Sequence, residues 1–298
     1  MKILVLHTPR NKTPNLESIS PRTIRRISTC LTDHGYEVEE ASYSPYRVNK
    51  IIEKTKPSLV FNLAYGYLGK KMVEEQPDTT LRLENLGQAT VGATSDAQRV
   101  AQDKLETARV LMNTGIVSPR ILDPREGPFP EFVIMKPRNG ACHRNIRVVH
   151  HSQIDTLLTV PENILLQEFI SGPEFTVGVI ETPEGIRAIS PLIIEYTDET
   201  PQPHYMDWNV CRWNYAVDRT DEFHLMPLAI AAFKGLQLRD YARFDFRISK
   251  HGPVLLDANS LPNLHPEISL LPLSCSLNGI LYPELIGLIV NNAAKRLN

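Results

Sequence analysis

Paired cysteines, a basic charge field and long apolar runs are all missing from this sequence. Its four cysteines, Cys30, Cys142, Cys211 and Cys275, are scattered and form no C-x-x-C pair. That pattern reads as reduced thiols, mostly small buried residues. A formal net charge of -2 over 298 residues gives no field of the kind that captures nucleic acid. Cations for an anionic substrate must then be placed locally. No apolar stretch approaches the length of a membrane span, and Ile3–Leu6, after a single lysine, is too short for a signal-peptide core. A cytoplasmic protein with neither nucleic acid nor membrane as partner is expected. No G-x-G-x-x-G follows the first strand, so the glycine fingerprint of a Rossmann dehydrogenase is lacking. Internal repeats and low-complexity segments are absent as well.

What is present is ordinary globular material, 42% hydrophobic and 22% charged, long enough for two or three small domains or one large α/β unit. Residues 1–95 alternate strand and helix. Ile3–Leu6 is a continuous apolar run, helical spacing runs from Ile19 to Leu31, and Gly35 supplies a stop. Strands at Glu37–Ala41 and Leu59–Leu63 complete a βαβαβ pattern, which predicts a parallel, doubly wound sheet. A helix at about 79–87 and a short strand ending at Val91 follow. Residues 96–190 open with a helix carrying Lys104 and reaching Gly115. Four prolines between Pro119 and Pro130 then break the chain before short strands around a small helix near Gln153. Residues 191–298 hold a polar loop, a helix at about 225–236, two strands meeting near Gly252, and a last helix from about Pro283. Three units are expected at 1–95, 96–190 and 191–298.

Chemistry concentrates near the C-terminus, in Arg243-Phe-Asp245-Phe and Val254-Leu-Leu-Asp257-Ala-Asn259. Along a strand, side chains at i and i+2 share a face. If the turn at Gly252 pairs the two strands, Arg243, Asp245, Asp257 and Asn259 gather on one side. Carboxylate and amide oxygens suit magnesium, and a guanidinium steadies phosphoryl or oxyanion charge. Read alone, the pattern also describes the polar side of an edge hairpin. Lys136 ends an apolar strand beside a glycine-bearing loop, where it and Lys104 can reach polyphosphate; surface lysines are the bland alternative. In Gln167-Glu168-Phe169-Ile170-Ser-Gly-Pro-Glu174 an apolar strand gives way to a turn ending in an acid. That segment is either a slot for a flat heterocycle and a ribose or a plain strand–turn–strand.

Taken in order, these segments resemble the ATP-grasp superfamily, and within it the D-alanine–D-alanine ligase-like branch. The resemblance runs through Val60-Phe-Asn-Leu, Val91-Gly-Ala, Asp103-Lys104, Val133-Ile-Met-Lys136-Pro, Phe169-Ile-Ser-Gly-Pro-Glu174-Phe-Thr-Val, Arg243-Phe-Asp245, Asp257-Ala-Asn259-Ser-Leu-Pro262 and Tyr282-Pro-Glu-Leu. It implies an N-terminal doubly wound domain followed by a small central lobe and a C-terminal lobe that sandwich ATP. It also implies phosphate contacts by Lys104, Lys136 and His143. Gln167 and Glu168 would lie at the adenine amino group, Phe169 and Ile170 in the adenine slot, and Glu174 on the ribose hydroxyls. Asp245, Asp257 and Asn259 would hold two magnesium ions, with manganese as the alternative. Arg243 would steady the transferring phosphoryl group, with Glu17 and Ser269 on the substrate side. A homodimer is a further implication.

The chain departs from the family pattern on its substrate side. The paired serines of the glycine-rich loop fall at Cys142 and His143, followed by Arg144. The histidine expected after the third strand is replaced within Asn62-Leu-Ala-Tyr65-Gly-Tyr67. The family's glycine past Pro262 is Asn263, and His265-Pro-Glu267-Ile-Ser269 is one residue longer. The loop expected to close over the site carries Glu195-Tyr196 and the two tryptophans, Trp208 and Trp213. Nucleotide and metal positions are kept while substrate positions change, which points to the same activation chemistry on a substrate other than the cell-wall dipeptide. The leading expectation is an ATP-dependent carboxylate–amine ligase acting on small amino-acid substrates in specialised metabolism. Two alternatives remain: intramolecular closure of an amino acid, as in antibiotic ring formation, and a non-catalytic ATP-binding sensor.

Overall fold

Three sheets organise the protein, in a computed structural model that describes residues 1–8, 19–66, 75–139, 146–157, 163–197, 203 and 213–297. The first sheet is parallel: β1 (Lys2–His7) lies between β2 (Glu37–Ser42) and β3 (Leu59–Leu63). Ile3 to Leu6 are fully buried, as a strand covered on both faces requires. The edge strand β2 is acidic, and Lys2 bridges its Glu37 and Glu39 at 3.3 and 2.6 Å. Between β1 and β2 runs α1 (Pro21–Asp33), started by Ser20, whose hydroxyl accepts from the Thr23 N–H, and by Pro21 in its first turn. The crossover from β2 to β3 is α2 (Val48–Thr55). The strand expected to end at Val91 is a single parallel bridge, Val60 to Thr90, and the helix before it, α3, begins earlier than expected, at Gln76, and ends at Asn85.

The long helix expected to reach Gly115 is broken. Asp103 takes an extended conformation and separates α4 (Ser95–Gln102) from α5 (Lys104–Leu111). Its carboxylate then caps α5 by accepting from the N–H groups of Leu105 and Glu106 at 3.0 and 3.2 Å. Hydrophobic spacing is blind to such a break, because both halves bury the same side.

The second sheet is small and antiparallel, with β4 (Phe132–Pro137) between β5 (Arg147–His150) and β6 (Ile164–Glu168). The small helix expected near Gln153 is a 3-10 segment, His151–Leu157. The third sheet contains β7 (Glu174–Thr182), β8 (Gly185–Ala188), β9 (Leu192–Tyr196), β10 (Trp213–Val217), β11 (Tyr241–Ser249) and β12 (Gly252–Asn259). Its order is β10-β9-β7-β11-β12, with β8 also on β7. A line drawn at 190 therefore runs between strands of one sheet. Helix α6 (Leu225–Gly235) covers the face carrying Phe175, Val177, Phe244 and Phe246. Gly172, at φ +136°, sits so close to β11 that a Cβ would lie 1.9 Å from the Ile248 carbonyl oxygen. The Ser-Gly-Pro turn is thereby pressed onto the sheet.

The parallel sheet and the third sheet share a core. Ile3, Val5 and Phe61 pack with Ile180, Tyr241, Leu271 of α7 (Leu270–Leu277) and Leu285, Ile286 and Ile289 of α8 (Tyr282–Ala294). Beside this core lies a buried ionic joint. Asp240, fully buried and at φ +66°, accepts from Gly92 N–H (2.6 Å), Asn292 Nδ2 (3.0 Å) and both Nη atoms of Arg296 (2.6 and 2.7 Å). Its own N–H donates to Glu181, and Arg239 donates to the Gly92 carbonyl. Among the described residues no single helix is long and apolar enough to cross a membrane. A pair that passes together, Leu270–Leu277 with Tyr282–Leu297, is bent by 112°, and its apolar side lies in this core.

Candidate active site

The third sheet turns one apolar face to α6, and the opposite face of its strands β7, β11 and β12 carries polar groups in rows. Antiparallel pairing sets Glu174 opposite Arg247 and Thr176 opposite Asp245. On the other side of β11, Arg243 lies opposite Asn259, and Asp245 opposite Asp257. Directly opposed residues share a face, so pairing through the Lys250–Gly252 turn brings Arg243, Asp245, Asp257 and Asn259 together. Arg243 grips Asp245 with two parallel bonds, Nε to Oδ1 at 3.0 Å and Nη2 to Oδ2 at 2.8 Å. Thr176 Oγ1 adds a 2.6 Å bond to Oδ1. Asn259 Oδ1 accepts from the Leu261 N–H at 3.2 Å, turning the chain out of β12.

A register shift after Asp245 makes Leu256 the extra residue of a bulge in β12. Its carbonyl accepts from Lys136 Nζ at 3.2 Å. Lys136 comes from β4 of the small sheet and is only 7% exposed. Lys104, first residue of α5, reaches Asp257 Oδ1 at 3.4 Å. Arg138 fixes the two lysines relative to each other: its guanidinium grips Asp103, the cap of α5, at 2.7–2.9 Å, and its carbonyl accepts from the Lys104 N–H. Burial alone would raise the Asp103 carboxyl, but Arg138 and the two capping N–H groups outweigh it and hold the group below its ordinary range.

Burial pushes the Lys136 ammonium down to about 7; Lys104 acts in the same direction and Asp257 opposes. The unfolded chain keeps that proton up to the ordinary 10.5. Between these values the unfolded state binds more protons, so stability rises as pH rises through the window. Lys136→Met should therefore stabilise the free protein near neutral pH, by roughly 1.4 kcal/mol for each pKa unit relieved. The gain should shrink toward about pH 10. Urea midpoints measured across that range check the slope.

Gln167, on β6, is 2% exposed, and its Oε1 has no hydrogen-bond partner among the described residues. It lines a cleft with Lys104, Thr107, Ser118, Leu256 and Asp257. A buried acceptor left open at such a cleft is costly unless something binds there, and an amino group of a heterocycle fits it. Glu168 instead turns outward to Arg120, accepting from its N–H at 3.0 Å. Phe169 and Ile170 follow, Phe169 under the guanidinium of Arg247 and Ile170 with its carbonyl bonded to it. Glu174 is buried, and its Oε2 accepts from Arg247 and from the Tyr196 hydroxyl.

The oxygens of Asp245, Asp257 and Asn259 are the hard donors that magnesium takes, and in that sense the set fits. Among the described residues no group of three or more His, Cys, Asp or Glu could hold a metal, so Asn259 or phosphate oxygens must complete the coordination. Ser269 stands apart, at the start of α7, where its hydroxyl accepts from the His265 N–H and donates to Asn263. Glu17 and His143 lie outside the described residues, as do Cys142, Arg144, Tyr67 and Trp208. Sequence reasoning passed over Arg247, although the same alternation that joined Arg243 to Asp245 continues to it.

A family model described as D-ala D-ala ligase C-terminus matches residues 143–291. The D-alanine–D-alanine ligase of Aquifex aeolicus (strain VF5) is 25% identical over 315 residues, covering 97% of this chain and 100% of that protein. The ligase of the same name from Syntrophotalea carbinolica is 26% identical over 302 residues, covering 93% and 92%. Among solved structures, D-alanine–D-alanine ligase from Bacillus anthracis in complex with ATP has a TM-score of 0.74 at 18% identity, over 100% of this chain and 98% of that one. A D-Ala:D-Ser ligase from Enterococcus faecalis has a TM-score of 0.73 at 14% identity, over 98% and 99%. These structural likenesses carry the fold, which is the ATP-grasp architecture expected from the sequence.

Proposed function

The chain belongs to the D-ala D-ala ligase C-terminus family, and on that premise we propose that it joins an amino-acid-like carboxylate to an amine through an acyl phosphate. It is an ATP-dependent, ADP-forming ligase of carbon–nitrogen bonds. The observation that carries the finer reading is the in-register polar face of β11 and β12, toward which two lysines from other elements converge.

A carboxylate is a poor electrophile until one of its oxygens can leave. Its oxygen attacks the γ-phosphorus, an O–P bond forms, and the bond to ADP breaks. The amine nitrogen then attacks the acyl carbon, phosphate departs with the electron pair, and the nitrogen sheds a proton to solvent. Bound magnesium would supply charge neutralisation that lets one anion attack another; Asp245, Asp257 and Asn259 are the residues to hold it. Lys104 and Lys136 would grip phosphates, whose negative charge would favour the protonated form of Lys136. Arg243 is placed to steady the phosphoryl group in flight. Gln167 Oε1 would accept from the adenine amino group in a slot walled by Phe169 and Ile170, and Glu174 would hold the ribose hydroxyls. Glu168, bonded to Arg120, would act only by fixing that strand. Ser269 would serve the substrate end.

We divide the chain into a substrate unit (1–95) and two lobes, with the boundary between the lobes set before β7 rather than at 190 because β7, β8 and β9 share one sheet, and expect a cytoplasmic homodimer. A substrate of specialised metabolism is supported by the altered substrate side. Asn62, in the altered Asn62–Tyr67 stretch, is buried and bonded to Thr80 and the Ala64 N–H, an interior role rather than a chemical one. The test is a screen of amino acids with ATP and magnesium for ADP and phosphate release, followed by mass spectrometry. Stoichiometric release with a pair of amino acids and a condensed product supports the reading. Release with a single amino acid and loss of one water would assign ring closure instead. ATP binding with no release for any amino acid would sink the ligase and favour a sensor.

A further inference from the structure

Arg247 has no role in the chemistry above, yet it is one of the most engaged side chains on the polar face of β7 and β11. It is 4% exposed, and every part of its guanidinium is used. Nε and Nη2 both donate to one oxygen of Glu174, Oε2, at 2.9 and 2.7 Å. Nη1 donates to the Ile170 carbonyl at 2.9 Å. Its Cζ lies 5.0 Å from the centroid of the Phe169 ring, within cation–π range. The Tyr196 hydroxyl completes the cluster, again on Oε2 at 2.8 Å.

The asymmetry is the informative part. An arginine fork facing a carboxylate usually takes both oxygens, one per N–H. Here three donors converge on Oε2, and among the described residues no hydrogen bond reaches Oε1. The carboxylate is thus held rigidly by one oxygen while the other is left to accept. The same guanidinium fixes the Ile170 peptide and backs the Phe169 ring. One residue therefore sets the wall of the base slot and the direction of the ribose acceptor.

We propose that Arg247 is a positioning residue for the nucleotide, aiming Glu174 Oε1 at the ribose hydroxyls. This rests on the assignment of Glu174 to the ribose. A pre-aimed acceptor loses little entropy on binding and discriminates by the hydroxyl it awaits, since a deoxy ligand would cover the oxygen and leave it unpaired.

Calorimetric binding of ADP and 2′-deoxyADP to the full chain and to Arg247→Met tests it. Wild type should prefer ADP by about tenfold, the worth of one hydrogen bond to a charged group. Arg247→Met should weaken ADP by a similar factor, hardly change 2′-deoxyADP, and bring the ratio near one. A merely structural arginine would weaken both ligands alike and keep the ratio, which would overturn the proposal. Wild type binding both nucleotides equally would overturn it too, with the ligase reading intact. Binding neither would instead remove the nucleotide site itself. Should the methionine variant fail to fold, Arg247→Lys, which keeps the charge but loses the fork, must lower the ratio; an unchanged ratio rejects the idea.

Discussion

Asp257→Ala should lower amino-acid-dependent phosphate release by about 10²–10³-fold, the usual loss when one preorganised electrostatic partner of a transferring group is removed. Asp257 stands at the centre of the proposed phosphate site, opposite Asp245 and in contact with Lys104. Its side chain is about one-third exposed, at 33%, so its removal empties no core. Circular dichroism and the thermal midpoint should stay close to wild type. A variant that keeps more than about a tenth of the rate would remove the metal and phosphate assignment. A variant that loses activity only by unfolding would show it in the midpoint.

The second large effect concerns stability. Asp240→Ala should cost about 2–4 kcal/mol, because it takes the acceptor from the buried Gly92 N–H and the ionic partner from Arg296, which keeps only the Thr90 carbonyl among the described residues. Arg296 is itself held above its ordinary range: burial lowers it, and Asp240 more than makes up the difference. The Asn292 amide loses one of its two acceptors and keeps Glu181. Alanine also fits poorly at φ +66°. Asp240→Asn, which tolerates that conformation and keeps one carbonyl oxygen, should lose clearly less. Urea unfolding of the three proteins, compared at one pH, measures the series. Equal losses for alanine and asparagine would mean that the charge is incidental and the backbone decides.

Much of this architecture was legible in the sequence because local rules and global fold agree there. The fully apolar Ile3–Leu6 could only be a strand covered on both sides, and the turn at Gly252 made a hairpin that put Asp245 and Asp257 on one face. Pattern fails where a tertiary partner decides. Asp103 breaks a helix whose hydrophobic spacing is continuous, because its carboxylate caps the second half and receives Arg138 from another sheet. The strand Glu174–Thr182 reads as part of the central stretch but pairs with β11 and β9 and carries Gly185–Ala188 along its edge, a choice made by long-range hydrogen bonding. The bulge at Leu256 has no sequence mark at all, yet it frees the carbonyl that holds Lys136. Arg247 was readable by simple alternation, since it is the next same-face residue after Asp245. What the sequence lacked was any hint that Glu174 would be its partner across β7.

The ion pairs around the polar face have a consequence for how the protein is assembled. Arg243 neutralises Asp245, and Lys104 answers Asp257, so the carboxylates are charge-balanced by the chain's own cations. Nothing in this corner depends on an external ion to relieve repulsion during folding. In that respect it is unlike a zinc finger, whose ligands collapse apart without their metal. A chelator should therefore take away chemistry without taking away shape, and the same molecules, dialysed into divalent ion, should resume work without a refolding step.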